Sequence, residues 1–204
     1  TLIPANSNLG VLIEYMHTHA DCAAATPLLV NEQDVQQAAQ VGSFPAVWRM
    51  LAEKLAKLVV RSLPFTRSTF GSLSPGYVPP AQCNVQQAVA ASLFVRKDDF
   101  EEVGGFSKEY FFFLEDTDLC KKLALNGKKI RFIPEARVVH LHGRSISSQI
   151  DRRKKYYSGQ DIYFKKWKSL PAQYCVKVMR LPILLMYWLK HRNSRYGSPD
   201  IHNG

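Results

Sequence analysis

Apolar residues at Leu9, Leu12, Ile13 and Met16 recur at the spacing of one helix face and predict a helix there. The next run, Cys22 to Val30, is short and almost wholly apolar, as a buried strand requires. The polar stretch Asn31 to Gln40 predicts a turn or short hairpin. Pro45 suits the first position of a helix that carries Trp48, Leu51, Leu55 and Leu58 on one face. Between Ser62 and Asn84, Pro64, Pro75, Pro79, Pro80, Gly71 and Gly76 mark a long loop, a class that is often functional. Val85 to Arg96 reads as a buried strand, and Lys97 to Val103 as a short helix stopped by Gly104-Gly105. Phe111 to Leu114 leads into a helix from about Glu115 to Asn126, followed by strands at Lys129–Ile133 and Arg137–Leu141. From Asp151 onward the pattern is helical, basic and aromatic. No internal repeat or low-complexity tract interrupts this alternation, which predicts an α/β fold.

At 204 residues the chain is long enough for one proper core. No apolar run approaches the roughly 20 residues of a membrane-spanning helix, and no basic-then-apolar leader opens the sequence. The four cysteines, Cys22, Cys83, Cys120 and Cys175, are scattered without a CxxC pair, which argues against zinc and a disulfide framework and fits a reducing cytosol. Charge changes the picture more. Residues 1–120 carry a net −5 and residues 121–204 a net +15, so the C-terminal part invites an anionic partner: a membrane surface, nucleic acid or a phosphorylated substrate.

The candidate chemistry lies between Glu101 and Ser145. Glu115, Asp116 and Asp118 open a helix that ends near Lys121 and Lys122, an arrangement suited to the helix dipole. A well-capped surface helix would show the same features. Phe111, Phe112 and Phe113, however, form an apolar wall able to desolvate a carboxylate and raise its pKa. Downstream, His140 and His142 end a strand on one face beside Gly143, which suits a ligand or phosphate site.

These residues carry a resemblance. The ordered motifs Leu93-Phe-Val-Arg96, Phe100-Glu-Glu-Val-Gly-Gly-Phe106, Phe113-Leu-Glu-Asp-Thr-Asp-Leu119, Ile133-Pro134, Val138-Val-His140 and Gly143-Arg-Ser145 look like family 2 glycosyltransferases, nearest their rhamnosyltransferase-like branch. The resemblance implies the C-terminal, acceptor-and-base portion of a GT-A-type fold over residues 1–150, with a basic helical tail over 151–204. Thr1-Leu-Ile-Pro4 resembles the stretch just after the family's Asp-x-Asp metal motif, so the nucleotide-binding half is expected upstream and the isolated chain is expected to be catalytically silent. Asp116 matches the family's catalytic base and Glu115 its partner. His140 matches a position that completes coordination of a divalent cation, Mg or Mn. Arg144 and Ser145 would lie at the diphosphate, and Phe113 and Gln87 on the acceptor side, with Asp118 a helix-entry acid or an acceptor-side residue and His142 an alternative polar residue facing the site. Asp116-Thr-Asp118 is formally an Asp-x-Asp too, but it opens a helix, which fits the base site better. Ala90-Ala91, Gln87 and Ser107 depart from the family's usual small, aromatic and Asp residues, and the first two bear on which acceptor is taken.

The implied partners are a nucleotide-diphospho-sugar donor and a glycan or lipid-linked acceptor in cell-envelope polysaccharide synthesis, with a cytoplasmic location. Leu181 to Leu189, flanked by Lys177, Arg180, Lys190 and Arg192, suits a helix lying in an anionic membrane interface on the inner face of the cell membrane, or equally a helix packed on the core. Basic residues beside Tyr156, Tyr157, Tyr163 and Trp167 can bind nucleic acid, but no nucleic-acid motif accompanies them. The alternative to an enzyme is a non-catalytic basic α/β module that retains the fold.

Overall fold

The structure, a computed structural model, describes residues 9–38, 40–62, 78–141 and 148–194. In chain order the elements are α1 (Gly10–Thr18), β1 (Cys22–Val30), β2 (Val41–Gly42), α2 (Val47–Ser62), β3 (Cys83–Val85), β4 (Gln87–Ala88), β5 (Phe94–Val95), α3 (Lys97–Glu102), α4 (Glu115–Leu125), β6 (Lys129–Val139), α5 (Gln149–Trp167) and α6 (Leu170–Ser194). They divide into two compact units, Thr1–Ile162 and Tyr163–Gly204.

In the first unit a sheet of order β3-β6-β1-β5 joins a central parallel pair, β1 and β6, to short antiparallel edges. All nine residues of β1 are buried. That fits a central strand covered on both faces. On one face Ala24, Leu28 and Phe132 pack with Leu119, Cys120 and Leu123 of α4. On the other, Ala25 and Ile133 pack with Leu12 of α1. The result is three layers, helix on sheet on helix.

The two strands expected at 129–133 and 137–141 are a single strand with an irregularity. The register passes from Pro27 opposite Ile133 to Leu28 opposite Arg137, so Pro134, Glu135 and Ala136 are accommodated without breaking β6. Pro27 has no N–H to donate, and a proline in a central strand is tolerated at such an interruption. The strand expected from Val85 to Arg96 is instead broken into the end of β3, β4, a 3-10 turn at Ala90–Ser92 and β5. Its backbone groups are taken by distant partners: the Val89 N–H donates to the Gln40 carbonyl at 2.9 Å, and the Thr26 hydroxyl donates to the Ser92 carbonyl at 3.0 Å.

Helix α2 starts at Val47, with the Ala46 carbonyl accepting from the Met50 N–H, so Pro45 lies just outside it. Its expected apolar face is turned outward, leaving Trp48, Leu51 and Leu55 exposed. Gly104 and Gly105, at φ 73° and 58°, stop α3 as the sequence predicts. The basic tail is helical over most of its described residues, in α5 and α6 up to Ser194, with residues 195–204 outside the described residues, and the division between units falls within α5.

Candidate active site

Helix α4 is launched from an unusual turn. Phe113 and Leu114 are consecutive non-glycine residues with φ of 67° and 65°. Left-handed backbone costs such residues roughly 1–2 kcal/mol each. Packing holds the turn in place. Leu114 is buried, its carbonyl accepts from the Asp118 N–H at 2.9 Å, and the Phe113 ring meets Phe112 and Tyr156 edge-on at 4.7 and 5.8 Å. Gly159 of α5 lies so close that a Cβ there would stand 2.6 Å from the Phe113 carbonyl oxygen.

This turn sets the Glu115–Asp116 pair at the first positions of α4. The Asp116 carboxylate is half-buried and held by three donors. Oδ2 accepts from the Ala90 N–H at 3.1 Å, and Oδ1 accepts from the Thr117 N–H at 2.7 Å and the Thr117 hydroxyl at 3.3 Å. Desolvation by burial raises its pKa and outweighs these hydrogen bonds, which lower it. Glu115 is also shifted upward, first by desolvation and then by the negative charge of Asp116. Its Oε2 is buried with no hydrogen-bond partner among the described residues. Two neighbouring carboxyls, both shifted upward by burial, thus stand side by side at the head of α4, a combination that marks candidate functional sites.

Asp118 plays a different part. It is fully buried and accepts from the Ser107 hydroxyl at 2.6 Å and the Tyr110 hydroxyl at 3.3 Å, with Lys122 Nζ 3.9 Å away. It ties the loop after α3 to α4, so its place is as the helix-entry acid rather than on an open acceptor face. Gln87 lies in β4, against which α4 packs, and its Oε1 is buried without a hydrogen-bond partner among the described residues. The aromatic wall is only partly a wall: Phe112 and Phe113 are half-buried, while Phe111 is 85% exposed with the Lys155 ammonium 4.9 Å from its ring centre.

His140 follows β6, its N–H donating to the Val30 carbonyl at 2.9 Å and its carbonyl accepting from the Gln37 side chain. His142, Arg144 and Ser145, like Thr1 to Pro4, lie outside the described residues. Among the described residues no three His, Cys, Asp or Glu side chains gather into a cation-binding cluster. Of the residues expected at the cation, His140 is the one within the described residues.

Two supporting residues escape a reading of the sequence. Gln40 is buried, and its side-chain oxygen accepts from the Leu29 N–H while its carbonyl takes the Val89 N–H, fixing the segment that presents Ala90 to Asp116. Thr26, fully buried in β1, secures the far end of the same segment at Ser92. A polar side chain inside or beside an apolar run is the only signal either gives.

Residues 18–194 match the model for the glycosyl transferase family group 2. The rhamnosyltransferase WbbL of Escherichia coli (strain K12) is 36% identical over 56 residues, 28% of this chain and 21% of that protein. The N-acetylglucosaminyl-diphospho-decaprenol L-rhamnosyltransferase of Mycobacterium tuberculosis (strain CDC 1551 / Oshkosh) is 36% identical over 61 residues, 30% of this chain and 20% of that protein. The matched stretch therefore spans about a fifth of either relative's length.

Proposed function

Because the chain belongs to the glycosyl transferase family group 2, we propose that it carries the acceptor-and-base portion of an inverting sugar transferase in which Asp116 is the general base. The α/β architecture with its parallel β1–β6 pair is consistent with a GT-A-type fold. The observation that carries the reading is the held, desolvated Asp116 carboxylate at the head of α4.

In the proposed reaction an acceptor sugar hydroxyl loses its proton to Asp116. Oδ2 suits that task, since it accepts one hydrogen bond where Oδ1 accepts two, leaving a lone pair for the incoming proton. The acceptor oxygen forms its bond to the anomeric carbon from the face opposite the leaving group. The anomeric carbon–oxygen bond breaks as the nucleoside diphosphate departs with the electron pair, so configuration inverts. The Ala90 and Thr117 donors keep the carboxylate aimed. When bound, a divalent cation would neutralise the charge developing on the departing diphosphate, with His140 a candidate ligand for it.

The names of the two relatives favour a rhamnosyl donor, and that of the mycobacterial protein favours a diphospholipid-linked sugar acceptor. Cell-envelope polysaccharide synthesis is the setting that follows. The test is Asp116→Asn in the full-length protein. Transfer should fall by about 10²–10⁴-fold, the usual worth of a general base, while donor binding stays unchanged. Undiminished turnover would remove Asp116 from the mechanism, and absence of transfer by the unaltered full-length protein would favour a non-catalytic module.

A further inference from the structure

Helix α6 carries an apolar stripe that faces outward. Leu170, Tyr174, Val178, Leu181, Leu185 and Trp188 follow one another at spacings of four, four, three, four and three residues, which places them on one side of the helix. All six are between 54% and 63% exposed. The stripe runs for about 27 Å at the helical rise. Around its C-terminal half, Leu181, Pro182, Leu184, Leu185 and Trp188 line an open groove of about 620 Å³. Val176 and Arg180, both buried, project from another side of the same helix, so the stripe is not the face that α6 uses for burial. An exposed apolar surface of this length and order marks an interaction site.

Charge identifies the occupant. From Ile162 to Pro199 the sequence contains eight lysines and arginines and no aspartate or glutamate. Lys177 lies beside the stripe, its ammonium 5.8 Å from the Tyr174 ring. A second copy docked stripe to stripe would bring two wholly cationic segments together without a counter-charge. Nucleic acid would satisfy the cations but has no use for a row of leucines. A bilayer with anionic headgroups meets both needs, since acyl chains take the stripe and headgroups take the lysines. No helix among the described residues is long and apolar enough to cross a membrane, so the helix would lie in the interfacial plane.

We propose that α6 is an amphipathic anchor that docks the protein on an anionic bilayer through the Leu170–Trp188 stripe. This does not rest on the transferase reading. The test is sedimentation of the full-length protein with vesicles of phosphatidylcholine alone or mixed with phosphatidylglycerol, at low and high salt. Binding should require the anionic lipid and weaken with salt. Leu181→Asp combined with Leu185→Asp, both at exposed positions, should reduce partitioning more than about tenfold with circular dichroism unchanged. Lys177→Ala should reduce it about fivefold. Should the double variant misfold, brominated lipid reads the same contact in the unaltered chain: it should quench a tryptophan signal that is missing in Trp188→Phe. The proposal is overturned by no binding at low salt, by equal binding to both lipids, or by binding that survives the leucine substitutions. Stripe-dependent dimers without vesicle binding, or competition by RNA that leaves the leucines irrelevant, would overturn it as well.

Discussion

Gly159 offers a sharp test of how the base is positioned, because two effects of opposite sign compete there. In an unobstructed helix, Gly→Ala stabilises by about 1 kcal/mol through backbone entropy. At Gly159 the new methyl would stand 2.6 Å from the Phe113 carbonyl oxygen and 3.4 Å from Leu114 Cδ1. Neither neighbour yields easily, since both belong to the left-handed turn that launches α4. Overpacking of this kind costs typically 1–3 kcal/mol. The expected net effect of Gly159→Ala is therefore a destabilisation of about 0–2 kcal/mol. Gly10, at the first position of α1 with nothing within 4 Å of its virtual Cβ, supplies the control, and Gly10→Ala should be neutral or mildly stabilising. Urea unfolding of both variants decides the matter. The midpoint of Gly159→Ala should fall below the parent and that of Gly10→Ala should not, with slopes unchanged. A Gly159→Ala midpoint equal to or above that of Gly10→Ala would refute the close approach of α5 to the turn.

Asp118→Ala should cost about 3 kcal/mol or more in urea unfolding, because it removes a buried acceptor of the Ser107 and Tyr110 hydroxyls and the negative charge facing Lys122; a loss under about 1 kcal/mol would mean the loop is held otherwise. Glu115 and Asp116 both keep their protons to higher pH folded than unfolded, so the folded state binds more protons between the ordinary and the raised values. Their contribution to stability is full below the ordinary carboxylate range and is lost as pH rises through the raised values. Glu115→Gln should flatten that decline in a pH series of unfolding midpoints, and a steeper decline would contradict the shift. Cys120, buried with its pKa pushed up to about 12, should resist alkylation in the native protein while exposed Cys175 reacts readily, as mass spectrometry of labelled peptides will show.

What could be read from the sequence depended on whether the cause was local. Cys22–Val30 was legible to the residue because a fully buried strand needs an unbroken apolar run. Helix α4 was equally plain, with acids at its head, a lysine in its last turn and Gly127 beyond it at φ 73°. The Asp116 pair stood out through residue type and order. The path from Val85 to Arg96 was illegible, because Gln40, Thr26 and Asp116 capture its backbone from distant parts of the chain. The strands expected at Lys129–Ile133 and Arg137–Leu141 are one, because the irregularity opposite Pro27 accommodates Pro134 within β6. The left-handed pair Phe113–Leu114 had no sequence cue either, since neither is a residue type that favours that conformation.

The parallel pairing of β1 with β6 has a consequence during synthesis. Cys22 lies opposite Lys129, so the most buried strand of the sheet leaves the ribosome more than a hundred residues before its principal partner. At the usual translation rates of about 5–20 residues per second, that is a wait of roughly 5–20 s. Throughout it the nascent chain carries the apolar segment Cys22–Val30 without its parallel partner, while α1, β5, Val41 and Ala88 are already available to pack against it. Yield of folded protein should therefore respond to anything that shortens or shields that interval, such as faster codons between β5 and β6 or added trigger-type chaperone, more than to substitutions that stabilise the finished sheet.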